Sequence, residues 1–328
     1  RTQLAMSPAV WHDFATPEVV ERLERIADID TGSVVTSFDD VADLGRVEVL
    51  VTGWGAPVID EHALRRMPHL RAILHTGGSV KHYVTQACWD RGIEVSSGVD
   101  DNAIPVAEYT LAAILFAQKR VLSTSRAYRQ TRSAQPWAEP YPFMGNYRRV
   151  VGIIGASRIG RRVIELLRPF DVEVVLSDPY VSQAEADHLG VRLVELDELF
   201  TISDTVSLHA PDLPETKGMV SRRRLASMRD GAVFINTARG ALVDGQALTE
   251  ELVSGRLHGV IDVTEPEVLP ADSPLYDLPN VLLTPHIAGS VGEELSRLID
   301  HALDEFERVA AGEPLASPVQ PELLSNSA

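Results

Sequence analysis

Twice along this chain short apolar runs alternate with amphipathic stretches, and that alternation constrains the fold more than any other feature. In the first hundred residues "VEVLVTGW" (47–54) reads as a buried strand entering a glycine turn and "EHALRRM" as a helix closed by Pro68. "LRAILHTGG" reads as strand and turn, "YVTQACWDRG" as a helix ending at Gly92, and "IEVSS" as a further strand. From residue 150 the pattern restarts with "VVGII", "VEVVLSD", "VRLV", "TVSLHA", "AVFINTA", "HGVIDV" and "VLLTPHI". Helical stretches at 158–169, 182–189, 221–228 and 244–254 lie between them. Strands separated by helices pair in parallel through crossovers. The spacing therefore predicts an α/β chain with two lobes, the second a doubly wound parallel sheet.

The segment "NAIPVAEYTLAAILFAQKRVL" (102–122) is expected to be a long apolar helix joining the lobes, with Asn102 as its cap and Pro105 in its first turn. "SAQPWAEPYPFMGNYRR", rich in Pro and aromatics, reads as a structured loop. "VGEELSRLIDHALDEFERVAAG" reads as an amphipathic helix ending at Gly312, and the tail after it lacks the periodicity of an element and is expected to pack back on the first lobe. A length of 328 residues is enough for two cores. The formal net charge of −17 argues against nucleic-acid or anionic-membrane partners, because phosphates reward Lys and Arg. The single cysteine, Cys88, excludes an intrachain disulfide and fits a reducing compartment. No apolar run is long enough to span a membrane and no signal-peptide pattern opens the chain, so a cytoplasmic location is expected.

Chemistry concentrates at strand ends. "GASRIG" (155–160) follows "VVGII" and opens a helix, as a dinucleotide-binding turn does, with Ser157 where the fingerprint has its middle glycine. A helix N-terminus offers free N–H groups and a positive dipole end to a pyrophosphate. Asp178 ends the next strand, where a carboxylate accepts hydrogen bonds from a ribose diol and repels a 2′-phosphate, which favours NAD over NADP. Whether the Ser157 hydroxyl touches a phosphate or merely fits beside it stays open. Further on, Arg239 in "NTARGALVD", the acids Asp262, Glu265 and Glu267 in "DVTEPE", and His286 in "TPHIAGS" each follow a strand. Side chains at the carboxyl ends of neighbouring strands converge on one crevice. No His/Cys set with metal spacing is apparent.

These segments, in order with "VAE" (106–108), "SDPY" and "LHAPDLPET", make the chain resemble the D-isomer-specific 2-hydroxyacid dehydrogenase family. The resemblance implies a smaller flavodoxin-like substrate lobe built from 1–101 and 291–328, and a Rossmann NAD-binding lobe, 102–290, that also forms a homodimer interface. It implies His286 as acid/base, Glu267, five positions after Asp262, as its partner, and Arg239 as the grip on a substrate carboxylate. An NAD site is implied at Gly155, Ser157, Arg158, Ile159, Gly160 and Asp178, completed by His209, Ala210, Pro211, Thr216, Thr237, Ala238, Arg239, Asp262, His286 and Gly289. Substrate contacts are implied at Trp54, Gly77, Gly78 and Ser79 together with Arg239 and His286. The substrate turn departs from the family's G-x-G-V-D: it reads "GGSVKHY", with Ser79 and Lys81 as replacements, and Trp54 narrows or aromatises the pocket. The expected activity is interconversion of a small D-2-hydroxy acid and its 2-keto acid with NAD. The alternatives are a formate- or phosphite-type dehydrogenase, the first disfavoured by Glu267, and an NAD(H)-sensing protein resembling the transcriptional corepressors of this fold.

Overall fold

The computed structural model describes residues 1–133 and 144–324. Most of the expected proline-rich loop, 134–143, lies outside the described residues. The chain divides into two compact units, one of Arg1–Ala103 with the segment from Ser290 onward, the other of Ile104–Gly289.

The first unit holds β1 (Thr2–Ala5), β2 (Ile29–Val35), β3 (Val49–Thr52), β4 (Ala72–His75) and β5 (Glu94–Ser97). They form one parallel sheet in the order β2-β1-β3-β4-β5, which is the flavodoxin-like order. Every residue of β1, β3 and β4 is buried, as expected of strands covered on both faces. Helix Leu295–Ala311 buries Leu298, Ile299, Ala302, Leu303, Phe306 and Val309, the spacing of one helical face, in the cluster that contains Leu4, Val51 and Leu74. Ala63, Leu64, Met67 and Cys88 cluster with Leu50 and Ile73, the alternate side chains of the same strands. The tail does hold an element: Val319 N–H donates to the Val95 carbonyl at 2.7 Å and Pro321–Leu324 is a short helix. Four residues are too few to display a period.

The second unit holds β6 (Arg149–Ile154), β7 (Val172–Ser177), β8 (Arg192–Leu193), β9 (Thr205–Leu208), β10 (Val233–Asn236), β11 (His258–Ile261) and β12 (Val281–Leu283). All pair in parallel, in the order β12-β11-β10-β9-β6-β7-β8. The order reverses between β6 and β9, the switch point at which doubly wound sheets bind ligands. Helix Arg158–Leu167 buries Gly160, Val163, Ile164 and Leu167 at successive helical spacings. A seven-residue helix, Leu196–Ile202, was not anticipated; it buries only Leu199 and Phe200, so its pattern is short.

The joining helix differs from the expectation. It runs Val99–Gln118, so Asn102 lies inside it rather than at its cap. Asp100 and Asp101 occupy its first turn, where the helix dipole favours acids. It stops because Arg120 adopts φ +51°, and a second helix, Val121–Thr131, follows. Among the described residues no helix is long and apolar enough to cross a membrane.

Candidate active site

In the second unit the turn after β6 is built for close approach. Gly155 has φ +92°, and a Cβ there would stand 2.8 Å from the Ala210 nitrogen after β9. A Cβ on Gly160 would stand 2.1 Å from the Gly155 carbonyl oxygen, so the helix can start this close to the strand only with glycine. Ser157 is the N-cap: its hydroxyl accepts from Gly160 N–H at 3.3 Å. The serine thus has a structural task, and its O–H remains a donor. Arg158 and Ile159 open the helix, whose first N–H groups have no intrahelical acceptor. Asp178 accepts from Ala156 N–H at 2.7 Å and from Tyr180 N–H at 2.8 Å, which ties the glycine turn to the end of β7. A carboxylate has about four acceptor positions, so two protein donors leave room for a diol.

Across the switch point, His209 is buried, with Nε2 2.8 Å from the Ser207 hydroxyl. Burial pushes it down to about 3, so it is neutral and presents no charge to a ligand. Ala210 is buried beside it, and Thr216 pins the following loop by donating to the Pro211 carbonyl at 2.6 Å and accepting from Leu213 N–H at 2.9 Å. These residues surround the turn with a dry wall and a helix N-terminus, a donor set that fits a dinucleotide.

β10, β11 and β12 are neighbours, and each delivers one reactive group just past its end. After β10, Asn236 shapes the loop: its side chain donates to the Arg239 carbonyl at 3.0 Å and accepts from Ala238 N–H at 3.0 Å. Thr237 turns inward, 3.1 Å from the Thr110 hydroxyl, and the Arg239 guanidinium donates to the Ala238 carbonyl at 2.6 Å. A Cβ on Gly240 would stand 2.1 Å from the Thr264 carbonyl carbon, so the arginine loop lies directly against the acidic loop after β11. There the Thr264 hydroxyl reaches the carbonyls of Pro266 and Glu267 at 2.8 and 3.1 Å and orients the segment. Glu267 Oε1 meets His286 Nδ1 at 2.5 Å, and both side chains are about half exposed. Glu265 and Glu267 both face solvent, so exposure does not separate them; the contact with His286 does.

His286 has φ +55°, a left-handed backbone that a histidine rarely adopts. Asp262 imposes it. This residue is 2 % exposed, and its carboxylate accepts from the Thr284 hydroxyl at 2.6 Å, Ile287 N–H at 2.9 Å and Ala288 N–H at 3.0 Å. Its carbonyl accepts from His286 N–H at 2.9 Å. Thr284 spends its proton on Asp262, so it is Tyr109 O–H that donates to Thr284, at 2.8 Å. Burial raises the Tyr109 phenol above its ordinary value and keeps it a donor. Gly289 closes the turn. Both Asp262 oxygens are thus committed to holding the histidine loop.

A family model described as D-isomer specific 2-hydroxyacid dehydrogenase, NAD binding domain, matches residues 111–288. The chain belongs to this family. D-3-phosphoglycerate dehydrogenase of Mycobacterium bovis is 32% identical over 263 residues, which cover 79% of this chain and 48% of that protein. The chain spans about half the length of the first such relatives it matches. Among solved structures, the TT0316 protein of Thermus thermophilus is 29% identical with a TM-score of 0.79, covering 98% of this chain and 100% of that one. D-lactate dehydrogenase of Aquifex aeolicus, complexed with NAD and lactic acid, is 27% identical with a TM-score of 0.76, covering 95% and 96%. The family assignment makes 111–288 an NAD-binding domain, and the glycine turn, Asp178 and the strand-end triad all fall within it or at its border.

In the first unit the glycine turn expected to receive a substrate carboxylate follows β4. Gly77 is buried because His75 and Trp54 fill the space its side chain would need: a Cβ would stand 2.6 Å from His75 Nε2 and 3.3 Å from Trp54 Cε2. Gly78 lies against Asn102, whose side-chain amide nitrogen would be 3.3 Å from a Cβ. The Asn102 side-chain oxygen, Oδ1, accepts from Ser290 N–H at 3.0 Å. Asn102 therefore braces this turn instead of capping a helix. Ser79 Oγ stands 3.5 Å from the Lys81 nitrogen, steadying the turn locally. Asn102, Asn236, Thr264, Thr284 and Tyr109 were not singled out for the site from sequence, since their partners come from distant parts of the chain or from loop geometry. Among the described residues no group of three His, Cys, Asp or Glu side chains could hold a metal ion.

Proposed function

We propose that this protein is an NAD-dependent oxidoreductase that interconverts a small D-2-hydroxy acid and its 2-keto acid, with His286 as the acid/base. The observation that carries the reading is the His286–Glu267 contact at 2.5 Å, beside Arg239 on the neighbouring loop. When bound, the nicotinamide cofactor supplies or accepts the hydride. The chain's own groups do the rest. Arg239 offers fixed donors to a carboxylate and to the carbonyl oxygen on which charge develops. His286 delivers a proton from Nε2 to that oxygen in reduction and removes it in oxidation, while Glu267 fixes the ring by accepting from Nδ1–H. The amides at Gly77–Ser79 receive the substrate carboxylate, and Trp54 lies beside them.

The reading extends to cofactor choice, assembly and location. Asp178 favours NADH over NADPH, since a 2′-phosphate would meet a carboxylate already fixed by two amides. A homodimer through the NAD-binding domain fits the exposed Phe116, Leu122, Tyr128 and Tyr147 of the second unit, 60, 42, 58 and 63% exposed, as one chain's apolar surface for a second copy. The lone thiol Cys88, buried, fits a reducing cytoplasm. The test is NADH oxidation by the purified chain with a panel of 2-keto acids. Turnover with at least one supports the reading; NADH binding without turnover of any would make this an NAD(H)-sensing protein instead.

A further inference from the structure

Resting on that oxidoreductase reading, we infer that the substrate's side chain is apolar or aromatic and carries no phosphate, and that Trp54 selects it. If the amides at Gly77–Ser79 hold the carboxylate, the Trp54 indole is an aromatic surface beside them in the same unit: its Cε2 lies 3.3 Å from the Cβ position of Gly77, which His75 approaches more closely from its buried place, at 2.6 Å. That indole is held in place: it stacks on Phe14 with ring centroids 6.4 Å apart and planes 11° from parallel, and the Trp54 backbone is anchored where its main-chain carbonyl accepts from Ser7 N–H at 2.9 Å. Phe14 is itself buried, so the indole is a fixed apolar plane with one part left open. A rigid aromatic face rewards apolar and aromatic groups and brings no charge to a phosphate.

The charges nearby point the same way. His75, beneath the turn, is buried with Nδ1 2.9 Å from the Thr52 hydroxyl, and burial pushes it down to about 4, so it adds no cation. The segment after β2 carries Asp39, Asp40 and Asp43 against one Arg46, and Asp100 and Asp101 open the helix that follows β5. The one lysine or arginine following β4 before Val84 is Lys81, which is already engaged in an interaction of its own. Over the whole unit 11 Lys and Arg face 24 Asp and Glu, a net of −13, against −4 for the rest of the chain. Arginine and lysine are the side chains that grip a phosphate group. Here the substrate unit presents the opposite sign, which disfavours a doubly charged side chain and is indifferent to an uncharged one.

The experiment compares kcat/KM of the full chain with NADH for phenylpyruvate, 4-methyl-2-oxopentanoate, pyruvate, glyoxylate and 3-phosphohydroxypyruvate. The expected order places the first two at least about tenfold above the phosphorylated acid, a difference of roughly 1.4 kcal/mol. Trp54→Ala is expected to lower the phenylpyruvate-to-pyruvate ratio by about tenfold or more, and Trp54→Phe to hold it within a few-fold, with NADH binding confirming that each variant is folded. A phosphorylated acid or glyoxylate as the best substrate overturns this inference and leaves the oxidoreductase reading standing; so does an unchanged ratio in folded Trp54→Ala. Turnover of none of the acids overturns both. If Trp54→Ala does not fold, the wild-type ranking decides alone.

Discussion

Replacing Asp262 with Asn tests the claim that this buried carboxylate, through the loop it holds, creates the geometry of His286. The carboxylate accepts three hydrogen bonds, two on Oδ1 from Thr284 and Ile287 and one on Oδ2 from Ala288. Asparagine keeps one oxygen, which can still serve the first two. Its NH2 group then confronts the Ala288 N–H, donor against donor, and a buried amide is left unsatisfied at a cost of about 1–3 kcal/mol. The two surviving bonds lose their charge assistance, about 1 kcal/mol more in all, so the total comes to roughly 2–4 kcal/mol. Denaturation in urea should show the midpoint falling by about 1 M. Amide hydrogen exchange should rise first at Ile287 and Ala288, because their acceptor is the group altered. With the loop loosened, His286 no longer needs φ +55°, and turnover should drop by about tenfold or more as the imidazole leaves its place. An unchanged midpoint together with unchanged protection at Ile287 and Ala288 would refute the reasoning, because it would mean that the loop holds its shape without the carboxylate.

His286→Ala should lower turnover at least about a hundredfold, the scale of losing a general acid, while the circular dichroism spectrum stays as in the wild type; near-normal turnover would remove His286 from the mechanism. Gly160→Ala should weaken NADH binding and destabilise the fold by about 1–3 kcal/mol, measured by cofactor fluorescence and urea denaturation, because its Cβ would stand 2.1 Å from the Gly155 oxygen. Wild type should use NADH in preference to NADPH, with Asp178→Ser narrowing the ratio; equal use by the wild type would sink the role given to Asp178. Acid should destabilise the chain through two buried neutral histidines, His75 at about 4 and His209 at about 3. Both values lie below that of an unfolded histidine, so their contribution is full above about pH 6.5 and is lost as pH falls toward the folded values. Each removes about 1 kcal/mol per pH unit below about 6.5, and urea midpoints at pH 7 and pH 5 should differ less in His209→Asn than in the wild type.

What could be read from the sequence is what local order determines. A strand of such a parallel sheet is a largely apolar run, so β10 and β12 announce themselves, and the residues just past them sit at the ligand-binding edge. Arg239 and His286 were legible for that reason, and Glu267 through the family spacing. What escaped depends on contacts that local order does not encode. Tyr109 and Thr284 meet across 175 positions, and Asn102 receives the Ser290 amide from 188 positions away, so neither pairing leaves a trace in its own neighbourhood. Asn102 illustrates the failure: an Asn before a helical run is a good cap by local rules, yet the helix begins a turn earlier with two aspartates, and the amide is left to brace Gly78. Asp262 is the sharper case. Its position at a strand end marks it as functional, but position alone cannot say what its oxygens face. Once the chain returns through residues 284–288, both oxygens accept from that turn, so the residue expected beside the cofactor also holds the histidine loop. The sequence of such a site therefore points to the groups set at strand ends more readily than to the groups that hold them in place, because the former need only a strand end and the latter need a partner.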